Sequence, residues 1–298
     1  MTMTTRQATT RWLWSIPVCV AALLAGQVLG VALVGALGLE LPRVEPTGGG
    51  GEALLLIPAA LAIALALAVL AVGLSGRWWE RAAMLAVFLY GVYGLGTMIE
   101  TTIFTTLGGQ GALAVMHLPG SLLGGLAAAL LFPAASTEHF AGLASAFVTR
   151  WRPGSLIARL GLAVLAFPII YLVFGAIVAP VVTPYYRRLD FLVLPAMAAL
   201  LRVAFTRSVL FLLVSLPVIV AWRLSRTRLM LALGVGHFVA VGLAGLIEAT
   251  FFPAVLRWAH GVEILADSIC YAAVLAWLLF PRPGPVIGER AAMQERLA

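Results

Sequence analysis

Eight times along this chain an apolar run continues long enough, at about 1.5 Å per helical residue, to cross ~30 Å of hydrocarbon. No other feature limits the fold as severely. Inside lipid every backbone N–H and C=O must be satisfied by the protein itself, which leaves helices or closed barrels. The runs are continuous and lack the two-residue alternation of a barrel strand, so a barrel is excluded. The chain therefore reads as an all-α integral membrane protein. Its spans fall at roughly 12–39, 53–75, 82–106, 112–135, 156–180, 206–224, 228–253 and 258–281. Arg6 and Arg11 precede the first run as in a signal sequence, but that run outlasts a signal core and is expected to stay as a helix.

Charge fixes how such a bundle sits. Of 298 residues, 62% are hydrophobic and only 10% charged, too few for the surface of a soluble domain this long. The net charge of +7 comes entirely from arginine on the basic side, and those arginines gather at the ends of the runs. That distribution fits anionic lipid as the partner and excludes a nucleic-acid groove. With a cytoplasmic N-terminus, Arg43, Arg187, Arg188, Arg202, Arg207 and Arg257 lie outside, and the other 13 of the 19 arginines lie inside. Both termini are thus expected in the cytoplasm of a bacterial inner membrane. Cys19 and Cys270 both fall inside spans, too few for a disulfide framework or a thiolate metal site.

Two outer connections stand out. "ELPRVEPTGGGGE" (40–52) is Gly-rich and acidic. The stretch near 181–206 holds three of the six outer arginines, with Arg207 directly after it, yet stays apolar between them. It reads as an interfacial or re-entrant helix interrupted at Pro195, with Tyr185 and Tyr186 at headgroup level. A ninth span there is the competing reading.

The chain also repeats itself. "GLGTMIETTIF" (94–104) matches "GLAGLIEATFF" (242–252) at an offset of 148, and "LLFP" at 130–133 recurs at 278–281 with the same offset. Two matches at one offset point to two four-helix halves, 1–150 and 151–298. Four is even, so both halves enter the membrane in the same sense, as parallel repeats about an axis along the membrane normal.

The repeat pairs Glu100 with Glu248, each near the outer end of a span. An acid at that depth is rare and faces the bundle interior. Tyr90, Tyr93, Thr97 and Glu100 follow helical spacing and should form one polar stripe, and His237, Ala244 and Glu248 a sparser one. Interhelical anchoring is the structural alternative for both glutamates. "HGVEILADSIC" (260–270) opens the last span with His260, Glu263 and Asp267 within roughly 60° of one another at 100° per residue. Glu248 is expected nearby, with Arg202, Arg207 and Arg257 as counter-charges and His117 at the matching level of the first half. Together these residues suggest one polar cavity, open to the outside and walled by both halves.

Such a cavity could take an ion or small solute, or His260, Glu263 and Asp267 could hold a divalent metal. The spacing H-x-x-E-x-x-x-D is not that of a zinc protease, and no phosphate loop, dinucleotide fingerprint or G-x-S-x-G is present. His139 reads as a surface residue, His237 as a satisfied core histidine, and Gly124 and Gly125 as helix-packing residues.

"FGAIVAPVVTPYYRR" (174–188), "RSVLFLLVSLP" (207–217) and "RWAHGVEILADS" (257–268) resemble segments of uncharacterised bacterial polytopic inner-membrane proteins. In those proteins R-x-x-H-x-x-E opens the final span. The resemblance covers roughly residues 170–281. It implies that Arg257, His260 and Glu263 form a recurring unit and carries no activity with it.

Three functional classes remain open from the residues. The leading one is a transporter-like or solute- and ion-binding protein with an outward-facing acidic and histidine site. The second is a membrane-embedded, metal-dependent enzyme for a lipid or lipid-linked substrate at the outer leaflet. In that enzyme Glu248 or Glu263 would be the base and the outer arginines would hold a phosphate. The third is a non-catalytic scaffold or accessory subunit. Polar groups continuing to the inner side would mark a transporter, and only Tyr90, Tyr93 and His237 offer them.

Overall fold

The computed structural model describes residues 5–42 and 52–280, apart from the side chains of 5–13 and 52. The side chains of Arg6 and Arg11, together with Arg43, Arg282, Arg290, Arg296 and the glycines at 48–51, lie outside the described residues. The described residues form helices joined by short connections, with isolated bridges in place of strands. They are α1 Thr5–Ala36, α2 Glu52–Gly73, α3 Trp78–Phe104, α4 Gln110–Leu131, α5 Phe140–Arg150, α6 Pro153–Tyr186, α7 Met197–Ala221, α8 Arg226–Glu248 and α9 Ala254–Leu279. All but α5 contain a stretch long and apolar enough to cross a membrane. The chain is a multi-pass α-helical membrane protein.

The one clear departure from the expected spans lies at 181–206. No separate interfacial helix forms there. Helix α6 continues to Tyr186, α7 begins at Met197, and only 187–196 is non-helical. Pro195 precedes the start of α7, where a missing N–H costs no helical bond. At 34 residues α6 is about 50 Å long, more than the hydrocarbon needs.

Helices α2, α3, α7 and α8 form the centre of the bundle. The pair α1 and α4 packs on one side, against α2 and α3, and the pair α6 and α9 packs on the other, against α7 and α8. Close packing of α1 on α4 depends on glycine: a Cβ at Gly26 would stand 2.4 Å from the Gly120 Cα. Apolar side chains such as Ile157, Ile169, Ile177, Trp258 and Trp277 face outwards, as lipid contact requires.

The connections sort onto two ends. At one, Ala135 N donates to the Leu74 carbonyl at 2.9 Å, Gly76 N donates to Ser136 O at 3.2 Å, and Arg223 pairs with Glu138. At the other, Thr106 N donates to Phe191 O at 3.0 Å and Val193 N to Phe104 O at 2.8 Å. Glu80 ties down two helix starts at once. Its carboxylate accepts from Arg77 N at 2.7 Å and from Phe140 N at 3.1 Å, at the N-termini of α3 and α5.

Several contacts come in pairs at the sequence offset of 148. Ser75 N donates to Ala221 O at 3.0 Å, and Arg223 N donates to Gly73 O at 3.0 Å; Leu74 and Trp222, the residues between them, bridge each other. The carbonyls just beyond α4 and α9, Phe132 O and Phe280 O, are also one offset apart. Each accepts from an arginine, Arg81 at 2.9 Å and Arg226 at 3.2 Å, although the two arginines do not themselves occupy matching positions. Arg81 also reaches the carbonyls of Ala71, Ala129 and Pro133, satisfying acceptors at and beyond the ends of α2 and α4.

Two π-helical segments interrupt the central helices, Tyr90–Leu95 in α3 and Val239–Leu243 in α8. They touch each other and end on Leu95 and Leu243, again one offset apart. A π-segment carries one extra residue, which turns the remainder of the helix by roughly 100° from its α-helical phase. Tyr93 and Glu100 therefore do not share the single stripe expected from the sequence, and neither do His237 and Glu248.

Candidate functional site

On α9, Leu256, His260, Glu263, Asp267 and Tyr271 recur at three- and four-residue spacing and face the bundle, while Val262 and Ile269 face outwards. Glu263 is 8% exposed and Asp267 6%. Buried carboxylates need partners. For Glu263 the partner is His260, whose Nδ1–H donates to Oε2 at 2.9 Å; His260 itself is 23% exposed. Gly175 on α6 leaves the necessary room, since a Cβ there would stand 3.3 Å from Glu263 Oε1. Asp267 lies one turn further along, and its Oδ1 has no hydrogen-bond partner.

Arg207 enters this region from α7. It is 3% exposed, and its Nη1 donates to Glu100 Oε1 at 2.6 Å, joining α7 to the C-terminal part of α3. The rings of Phe211, Phe167 and Tyr171 surround its guanidinium at 5.2, 5.6 and 5.6 Å, within range of cation–π attraction. Asp267 lies within electrostatic reach of Glu263, Arg207 and Glu100. Three carboxylates thus face one buried guanidinium and one half-buried imidazole. With all three carboxylates ionised, acids outnumber bases even when His260 is protonated. Glu100 is 32% exposed, the most open of the three carboxylates.

Glu248 is not part of this cluster. It reaches into the first half, where the Tyr93 hydroxyl donates to its Oε1 at 3.4 Å. The π-segments explain the separation, because they aim each glutamate at the opposite half: Glu100 at Arg207 and Glu248 at Tyr93. The single cavity expected from the sequence is therefore two separate polar sites.

Of the three arginines expected as counter-charges, only Arg207 joins the acids. Arg202 is exposed; it lies five residues before Arg207, roughly 140° away around the helix. Arg257 is half-buried, its Nε has no partner, and it makes no ion pair among the described residues. Within the R-x-x-H-x-x-E unit only the histidine and the glutamate bond each other.

His260, Glu263 and Asp267 do not form a ready metal centre. Among the described residues no three of His, Cys, Asp and Glu stand close enough to hold an ion. Successive turns rise about 5 Å, and His260 is already turned to its own neighbour. His237 has both ring nitrogens satisfied: Nδ1–H donates to Leu233 O at 2.9 Å, so Nε2 accepts from the Ser215 hydroxyl at 3.1 Å.

Phe167 and Tyr171 were not legible as site residues. The available signal was Phe167, Tyr171, Gly175, Val182 and Tyr186 recurring at helical spacing along α6, with tyrosine hydroxyls breaking an apolar run. Comparison with models of known protein families, with curated proteins and with solved structures finds no match for this chain.

Proposed function

We propose that this chain is a transporter-like protein of a bacterial inner membrane that binds a cationic ion or small solute from the outer side. Its termini lie in the cytoplasm, and residues 1–150 and 151–298 are parallel four-helix repeats. The observation that carries the binding reading is Asp267. It is a buried carboxylate with an unfilled acceptor, placed where acids outnumber bases. Uncompensated charge of that kind is costly in a membrane interior, and a bound cation relieves it. The ring of Tyr186, 6.4 Å from that of His260, adds an aromatic group beside the acids that suits an organic cation as well as a simple ion. The reciprocal bonds of residues 73–75 with 221–223 support the repeat, because such pairing is what a two-fold axis between equivalent residues produces.

A second observation bears on the two glutamates alone. Each bonds a residue of the other half, so Glu100 and Glu248 also join the repeats, and the cation falls to Glu263 and Asp267. The test is uptake into proteoliposomes with sodium, potassium, tetramethylammonium and spermidine as probes. At least one should enter saturably, and Asp267→Asn and Glu263→Gln should each abolish its uptake while the protein still purifies as a single species. Unchanged uptake in Asp267→Asn would remove the basis of the proposal.

A further inference from the structure

The first half encloses a cavity that the outer acidic cluster does not use. Its volume is about 20 Å³, room for one water molecule. Gln27 of α1, Tyr93 of α3, and His117 and Ser121 of α4 line it, and Glu248 enters it from α8 of the other half. Helix α2 contributes only Leu56, Ala60 and Ile63. Tyr93 stands between the two titratable groups it touches: its hydroxyl bonds Glu248, and its ring lies 4.2 Å from that of His117. Gln27 Nε2 approaches His117 Nδ1 at 3.4 Å, and the Ser121 hydroxyl is turned back to the His117 carbonyl at 2.9 Å. No arginine lines this cavity, in contrast to the cluster around Arg207. Tyr93 and His117 are thus the titratable groups facing Glu248 from the packed helices, and neither is a fixed cation.

We infer that this cavity is a proton-binding site, separate from the outer cluster. Glu248 holds the proton as a neutral carboxylic acid, the state that a carboxyl without a fixed counter-charge can keep in a membrane interior. When the proton leaves, it passes to the imidazole of His117, so carboxylic acid and imidazole become carboxylate and imidazolium. The total charge in the cavity is unchanged, and the cavity that both groups line has room for one water to relay the proton. Tyr93 is a positioning residue, holding the carboxyl by its hydroxyl.

Infrared difference spectroscopy on the full-length protein in lipid nanodiscs tests this. At neutral pH the wild type should show a protonated-carboxyl C=O band that Glu248→Gln removes. Tyr93→Phe, which keeps the ring, should leave the band but move it to higher frequency through loss of the hydroxyl bond. It serves if Glu248→Gln does not fold. His117→Ala should slow hydrogen–deuterium exchange at the band about tenfold. Absence of any band sensitive to Glu248→Gln or Tyr93→Phe would overturn the inference. So would a band that sodium removes at constant pH and ionic strength, which would mark a metal-cation site. Unchanged exchange in His117→Ala would overturn the role of His117.

Discussion

Arg207 sits at the point where the charge balance of the acidic cluster is set. From the sequence it is one of six arginines expected on the outer side, and nothing in its neighbours distinguishes it from Arg202. What separates them is the face of α7 on which each falls, and the earlier start of that helix carries Arg207 into the bundle. Its partner is equally hard to read, because the π-segment in α3 redirects Glu100. Truncating Arg207 leaves Glu100 without its cation, so Arg207→Ala should destabilise the fold by about 3–5 kcal/mol. The double variant Glu100→Ala/Arg207→Ala should be more stable than Arg207→Ala alone, since it removes the stranded charge with its partner. Thermal denaturation in detergent checks both. A double variant no better than the single would show that Arg207 is held by its aromatic neighbours and not by Glu100.

At the scale of elements, the spans were legible because lipid demands long apolar helices, and the acidic stripe of α9 was legible because that helix runs without a π-segment or an internal proline. The stripes on α3 and α8 were not, because nothing in YGVYGL or VAVGL marks a π-segment within an otherwise helical pattern. Proline leaves a clearer trace. Pro168 in α6 cannot donate to the Val164 carbonyl four residues back, and the Ser208 hydroxyl of α7 fills the gap at 2.8 Å. Ser208→Ala should therefore cost about 1–2 kcal/mol by stranding that carbonyl. The same change should be nearly neutral in a Pro168→Ala background, where a backbone N–H becomes available. A double-variant cycle on thermal stability measures the difference, and equal costs in both backgrounds would show that Ser208 does not compensate for Pro168.

At the scale of the whole molecule, Leu74 meets Trp222 with matching bonds on either side, a contact between the two halves of the chain. The sequence offset already hinted at two halves, but it could not show that equivalent residues meet, since a repeat can stack without touching itself. The antiparallel bridge places these two backbones at disulfide-forming range. In a background lacking Cys19 and Cys270, Leu74→Cys/Trp222→Cys should cross-link within one chain on mild oxidation, and Leu74→Cys alone should not. Failure to cross-link in folded protein would remove the paired contact, and with it the main support for an axis between the halves.

The central claim is that the acids around Asp267 form a site open to the outside and negative in charge. Charge-selective labelling probes it most directly. His260→Cys, in the same cysteine-free background, would be exposed from outside to membrane-impermeant thiol reagents of like size and opposite charge. The cationic reagent should react about tenfold faster than the anionic one, and Asp267→Asn with Glu263→Gln should erase most of that preference. Equal rates, or a preference for the anionic reagent, would contradict the claim.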